Sequence, residues 1–407
     1  MILLNERLKT NHGYICLIAS QIVSNLGDWL DFLALISLLG LQWRVTPLQM
    51  MICMMSMTIP AIILGPFFGV LVDRLDRKQC MIYSDLIRAI IIIGIIFSTQ
   101  LWNLYVLLFF KSTFSAIFFA AKNGKLKEVV SDTDMSQAIT VSSMIENFTK
   151  IIGPFISGII LVYLGTLAAF YVDAISFLLS ALLLLAVPKS NRQHNFDHKE
   201  TIPSFLCQFK DGVLYISNSK LLLFGCLTIS FVMFIMQIID TQLVIFLRDI
   251  TNLPSDLIGN CMGASGVGML VMSWYLNVQS SDINQRISLL QGTIILAVSI
   301  LALVEIRAIS TNLWLLYLFP FFLAGLAMTQ IIVPFQIVLQ KETPNILIGR
   351  VNTTFNSTIS LASTMGIFLG GVFVNQFGSY IIFLLAGYSL LVFGLIIYII
   401  TRNSSQG

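Results

Sequence analysis

Residues 188–218 read PKSNRQHNFDHKETIPSFLCQFKDGVLYISN, the longest polar stretch in a chain of 407 residues. On each side of it the sequence falls into apolar blocks of roughly twenty residues, the length that crosses the hydrocarbon core of a bilayer as a helix. Before it the blocks fall near 14–40, 47–72, 80–100, 103–122, 136–163 and 166–187. After it they fall near 219–247, 255–279, 287–307, 311–338, 351–377 and 379–401. The expectation is an all-α membrane protein of twelve transmembrane helices in two six-helix bundles. The first bundle is 1–187 and the second 219–407, joined by a linker at 188–218. The apolar-polar mix FLCQFKDGVLYI within that linker suits a short helix lying on the membrane surface.

Composition agrees with this reading. Hydrophobic residues make up 57% of the chain, charged ones only 11%, and the mean hydropathy is +0.89. A soluble domain carries about 25% charged residues, so too few are present to build a water-facing surface. Long blocks, in place of alternating ten-residue segments, exclude a β-barrel, and a helix satisfies its own backbone inside lipid. The net charge of +3 is too slight to imply nucleic acid as a partner. No GxxxxGK[ST] loop occurs, which argues against an ATP-driven pump. The first block is long and already holds acids, unlike a cleavable signal.

The basic residues orient the blocks. Of 23 Lys and Arg, the connectors after the first, seventh and ninth blocks hold one each, Arg44, Arg248 and, at the block's very end, Arg307. Those after the third, fifth and eleventh hold none, and Arg88, Lys111 and Lys150 lie within blocks. The other 17 fall in the termini and the even-numbered connectors, counting Lys122 and Lys220 at the block ends that face those connectors. By the positive-inside rule both termini are expected in the cytoplasm, with an even number of spans, in a bacterial inner membrane.

The six cysteines are scattered without a CxxC pair, which suits packing better than disulfides or metal. His194 and His198 have helical ligand spacing, but two histidines in a polar linker are weak evidence for metal. No metal and no cofactor is expected.

Between the second and third blocks the chain reads Gly69-Val-Leu-Val-Asp73-Arg74-Leu-Asp76-Arg77-Lys78. In sequence and position this resembles the loop signature of the major facilitator superfamily, G-x-L-a-D-r-x-G-r-K, with Asp76 in place of the second glycine. The D-R-x-D-R-K form is similar to the macrolide-efflux-like branch, as are Ser84-Asp85-Leu-Ile-Arg88 and Tyr171-Val-Asp173-Ala-Ile-Ser176-Phe177. A glycine here would let the helix end approach its neighbour, and the carboxylate would cap a helix or pair with the basic cluster. Gly153-Pro154-Phe-Ile-Ser157-Gly158 resembles the antiporter signature of exporters, G-P-x-x-G-G, with Ser157 replacing one glycine. Small residues there permit close packing and the proline lets a helix bend. The second half lacks an equivalent loop, since Ser281-Asp282-Ile-Asn-Gln-Arg286 is degenerate. A second resemblance, to lysophospholipid transporters, rests on Ser24-Asn-Leu-Gly27-Asp28-Trp29 and Ala121-Lys122-Asn123-Gly124.

Ionisable groups inside spans cost roughly 2.5–3.5 kcal/mol each on insertion scales, so each needs a partner or a task. Asp28 and Asp31 share one face midway along the first block, Lys111 sits near mid-depth in the fourth, and Glu146 and Lys150 stand four apart on one face of the fifth, acid first, the order that favours a pair. The superfamily resemblance implies that these five line a central cavity, met from the second half by Asp240, Gln330, Asn352 and Asn356. Burial favours the neutral form of an acid, so a mid-membrane carboxyl can carry a proton and exchange it against a cationic substrate. Asp28 is expected to lead this exchange, with Asp31 relaying protons or acting on it by like-charge repulsion. Asp85 with Arg88, and Glu305 with Arg307, read as structural pairs nearer the membrane edges.

The resemblance implies a monomeric secondary transporter, not an enzyme, with protons as coupling ion and a small-molecule substrate that is drug-like or siderophore-like and amphipathic. The alternative partner is a lysophospholipid, its zwitterionic headgroup held between Asp28 and Lys122. Membrane lipids surround the protein in either case.

Overall fold

The computed structural model describes residues 6–131, 134–189, 202–248, 257–278, 284–308, 314–344 and 347–404, and every regular element among them is helical. In chain order α1 is His12–Ser37, running on as a π-helical turn at Leu38–Gln42, α2 is Pro47–Asp73, α3 is Arg77–Ile96 and α4 is Leu101–Val129. Next come α5, Met135–Leu185, and α6, Ile202–Asn218. Then follow α7 (Lys220–Arg248), α8 (Leu257–Val278), α9 (Gln285–Ala308), α10 (Leu318–Glu342), α11 (Ile348–Phe377) and α12 (Ser379–Ser404). Eleven helices among the described residues are long and apolar enough to cross a membrane. This is a multi-pass membrane protein.

Helix α5 has 51 residues. Unbroken, it would run about 75 Å, more than twice the roughly 30 Å hydrocarbon core. It breaks at Gly165, whose φ of 80° and ψ of 174° lie in a region open to glycine and strained for other residues. The sequence boundary between the fifth and sixth blocks falls at this residue. Pro154 lies inside the helix without ending it.

Helix α4 runs on to Val129, seven residues past the apolar block that ends at 122. The charges that end the block do not end the helix, because Lys122 pairs with Glu146 at 2.6 Å and Lys125 with Glu128 at 2.8 Å.

The chain forms two compact units, Met1–Trp43 with Ile52–Asn195 and Arg44–Met51 with Phe196–Gly407. In the first, α1 packs along α5, and α3 packs against both α4 and α5. In the second, α7 packs on α11, α8 on α10, and α9 on α10 and α12. Helix α6, where a surface helix was expected, docks on α11. Asp211 pairs with Arg350 at 2.7 Å, and the Tyr215 hydroxyl donates to the Glu342 carbonyl at 2.7 Å. His194 and His198 lie outside the described residues.

Candidate functional site

Four stretches of the first unit bring charge to one place. Helix α1 supplies Asp28 and Asp31, α3 supplies Asp85 and Arg88, α4 supplies Lys111, and the part of α5 beyond Gly165 supplies Asp173. Lys111 is ten residues, about 15 Å, from the start of α4, and Arg88 eight residues, about 12 Å, from the end of α3. Both are therefore deep in their helices. The expected pair of Asp85 and Arg88 is present, eight residues from either end of α3, and Arg88 also reaches Asp28.

Lys111 Nζ bridges the two acids of α1, 3.1 Å from Asp28 Oδ1 and in a closer contact with Asp31 Oδ2. The Arg88 guanidinium lies 3.6 Å from Asp28 Oδ2, donates to Asp85 Oδ1, and donates to Ser24 Oγ at 3.3 Å. Asp85 accepts a second bond at 2.6 Å from the Ser180 hydroxyl of α5. Two aromatic rings enclose the guanidinium, Phe118 at 4.6 Å and Phe177 at 4.3 Å from its central carbon. Such faces stabilise a desolvated cation by roughly 2 kcal/mol. Gly27 makes the approach of α5 possible, since a Cβ there would collide with the Asp173 carboxylate and the Ser176 hydroxyl.

The cluster holds four acids and two bases. Lone buried charges of this kind are strongly unfavourable, so the pairs matter more here than they would at a surface. Access separates the acids. The Asp28 side chain is 39% exposed, whereas Asp31 and Asp85 are 1% and 0%. Only Asp28 can meet a solute, and the buried groups behind it set its charge balance.

Of the other expected site residues, Glu146 belongs to a second group. It takes Lys122 as its partner, at 2.6 Å, and accepts from Gln21 Nε2 at 3.4 Å. Gln21 is seven residues, about 10 Å, along α1 from Asp28. The expected pairing of Glu146 with Lys150 is replaced by this bond, because Lys122 reaches across from α4 while Lys150 is exposed. Asp240 is half-buried on α7 in the second unit, and Gln330 donates to Gln291 at 2.8 Å. Gly153 and Pro154 are buried, with Gly153 set against the Trp29 ring of α1, and Gly158 is buried one turn on.

The loop between α2 and α3 is anchored by the residues that carry its signature. Asp76 caps α3, accepting from the backbone N–H of Lys78 at 2.9 Å and of Gln79 at 3.4 Å, so the departure from glycine supplies an N-cap. Arg77 donates to the Gly124 carbonyl at 3.1 Å and pairs with Glu128 at 3.0 Å. Lys78 Nζ donates to the carbonyls of Leu185 and Val187 at 2.7 and 2.6 Å, where the end of α5 carries partial negative charge. Arg74 is exposed, and the side chain of Asp73 lies outside the described residues. A Cβ at Gly69 would meet nothing within 4 Å among the described residues.

Sequence reasoning did not assign Asp173, Asp85, Arg88 or Glu128 to a site. A signal for Asp173 was present: Asp173, Ser176, Phe177 and Ser180 recur at i, i+3, i+4 and i+7, which puts polar groups on one stripe of an apolar helix. No spacing within one helix reveals that Arg88 faces Asp28.

A bundle of spanning helices around a buried ion cluster, with one acid open to solutes, defines a multi-pass membrane transporter. The chain belongs to the Major Facilitator Superfamily, whose family model matches residues 17–364. It is 36% identical over 388 residues to the MFS-type transporter YfiS of Bacillus subtilis (strain 168), covering 95% of this chain and 93% of that one. It is 24% identical over 346 residues to macrolide efflux protein A of Streptococcus pyogenes, covering 81% of each. The crystal structure of the nucleoside transporter NupG matches with a TM-score of 0.68 at 12% identity, covering 95% of this chain and 99% of that one, a likeness of fold alone. The protein is a transporter of this superfamily and not an enzyme.

Proposed function

We propose that this chain is a proton-coupled exporter of amphipathic drug-like or siderophore-like molecules, working by alternating access as a monomer in the bacterial inner membrane. In this reading it crosses the membrane twelve times, with α5 contributing two crossings on either side of Gly165 and both termini in the cytoplasm. The observation that carries it is the position of Asp28, the one reachable acid of a cluster whose two cations already engage it. A proton and a cationic substrate would compete for that carboxylate, and such exclusion is the basis of antiport. The efflux name of one relative supports export as the direction.

The lipid alternative asks Lys122 to hold a headgroup phosphate together with Asp28. Lys122 is buried and bound to Glu146, which favours the exporter over the lipid carrier. The test is transport in proteoliposomes by wild type and Asp28→Asn, with and without a collapsed pH gradient, against a macrolide, a cationic dye and a lysolipid. Wild type should accumulate the macrolide or the dye only with the gradient, and Asp28→Asn should lose that accumulation while keeping downhill exchange. Wild-type transport indifferent to the gradient would refute antiport, and lysolipid transport under those conditions would favour the lipid reading.

A further inference from the structure

The exchange proposed at Asp28 gives Asp173 no role, yet Asp173 is fully buried and its Oδ2 has no hydrogen-bond partner. Its Oδ1 is met by the Ser176 hydroxyl at 3.3 Å, and that hydroxyl also donates to the Asp173 backbone carbonyl at 2.8 Å. Asp31 has the matching defect, with Oδ2 held by Lys111 and Oδ1 buried without a partner. The two carboxyls approach the same stretch of α1. The Asp173 carboxylate lies against the backbone at Gly27, and Asp31 is four residues further on the same face, about one turn away.

The charges that act on Asp173 are Asp28 and Asp31 of α1, Arg88 of α3 and Lys111 of α4. Both cations are committed elsewhere, Arg88 to Asp85 and Asp28, and Lys111 to Asp31 and Asp28. An ionised Asp173 would therefore have no counterion of its own, and an orphaned acceptor on Asp31 would have no donor. One proton on the pair removes the charge that has no counterion.

We propose that Asp173 and Asp31 form a second proton site behind Asp28, a pair of interacting carboxyls that together hold one exchangeable proton. The proton comes from water reaching Asp28 and forms an O–H bond on the pair; its loss returns it to water and leaves one more negative charge there. Lys111 reads that charge. With the proton bound, Lys111 is divided between Asp31 and Asp28, as in this structure. With the proton lost, the pair draws Lys111 inward, along the Phe177 ring that it already approaches to 5.7 Å, and away from Asp28. Asp28 then keeps only Arg88, so a cationic substrate can take the place of Lys111, and re-protonation sends Lys111 back to displace it. The coupling role rests on the antiport reading, whereas the proton held by the pair does not.

Infrared difference spectroscopy of the purified full-length protein, in H2O and D2O at neutral pH, tests the site without any substrate. Wild type should show a protonated-carboxyl C=O band that shifts in D2O. Asp173→Asn should abolish it, Asp31→Asn and Asp28→Asn should move it, and Asp240→Asn, in the other unit, should leave it in place. Absence of the band in wild type, or its survival in Asp173→Asn, would overturn the proposal. Should Asp173→Asn not fold, an unmoved band in Asp31→Asn overturns it equally. A band that behaves as expected, beside wild-type transport indifferent to the pH gradient, upholds the proton site and refutes only the antiport reading.

Discussion

Replacing Lys111 with methionine removes the cation that joins Asp28 to Asp31 while keeping the length and apolar stem of the side chain. Lys111 and Asp31 are 5% and 1% exposed, so their bond is a buried ion pair and solvent screening is slight. Removing one partner of such a pair costs about 3–5 kcal/mol, because the remaining charge is stranded in a medium of low dielectric constant. Asp31→Asn should cost less, about 2–3 kcal/mol, since Lys111 keeps Asp28 at 3.1 Å. The double variant strands no charge in this pair and should lose only about 3–4 kcal/mol, well short of the sum of the singles. The coupling term is then about 2–4 kcal/mol. Unfolding in mixed micelles, followed by circular dichroism for wild type, both singles and the double, completes the cycle. Additive losses, within about 0.5 kcal/mol, would show that the two residues do not act on each other and would refute the cluster as described.

Two further outcomes can be checked simply. Asp76→Ala should destabilise the protein by about 1 kcal/mol through loss of the α3 cap, while Asp76→Gly, the residue of the superfamily pattern, should cost only a few tenths, measured by the same unfolding. Reporter fusions after residues 190 and 402 should both read as cytoplasmic and one after residue 44 as periplasmic; periplasmic activity at either of the first two overturns the topology.

Membrane class, the approximate place of each helix and the break between the fifth and sixth blocks were legible in the sequence. Each depends on hydrophobic length and on residues near one another in the chain. The loop signature located Asp76, Arg77 and Lys78, and pairing at i, i+3 located Asp85 with Arg88. The same local reasoning misled for Glu146, where the nearest base in the chain, Lys150, is passed over for Lys122 on another helix.

The sequence by itself determined that charged residues stand inside spans and therefore need partners, since lipid offers none. Which partners they take was decided by the tertiary structure. Arg88 reaches Asp28 because α3 and α1 both pack on α5, and Asp173 reaches α1 because residue 27 has no side chain to hold it off. Helical periodicity states which face of its own helix a residue occupies. Which helix that face meets depends on long-range packing, and no spacing along one chain segment encodes it.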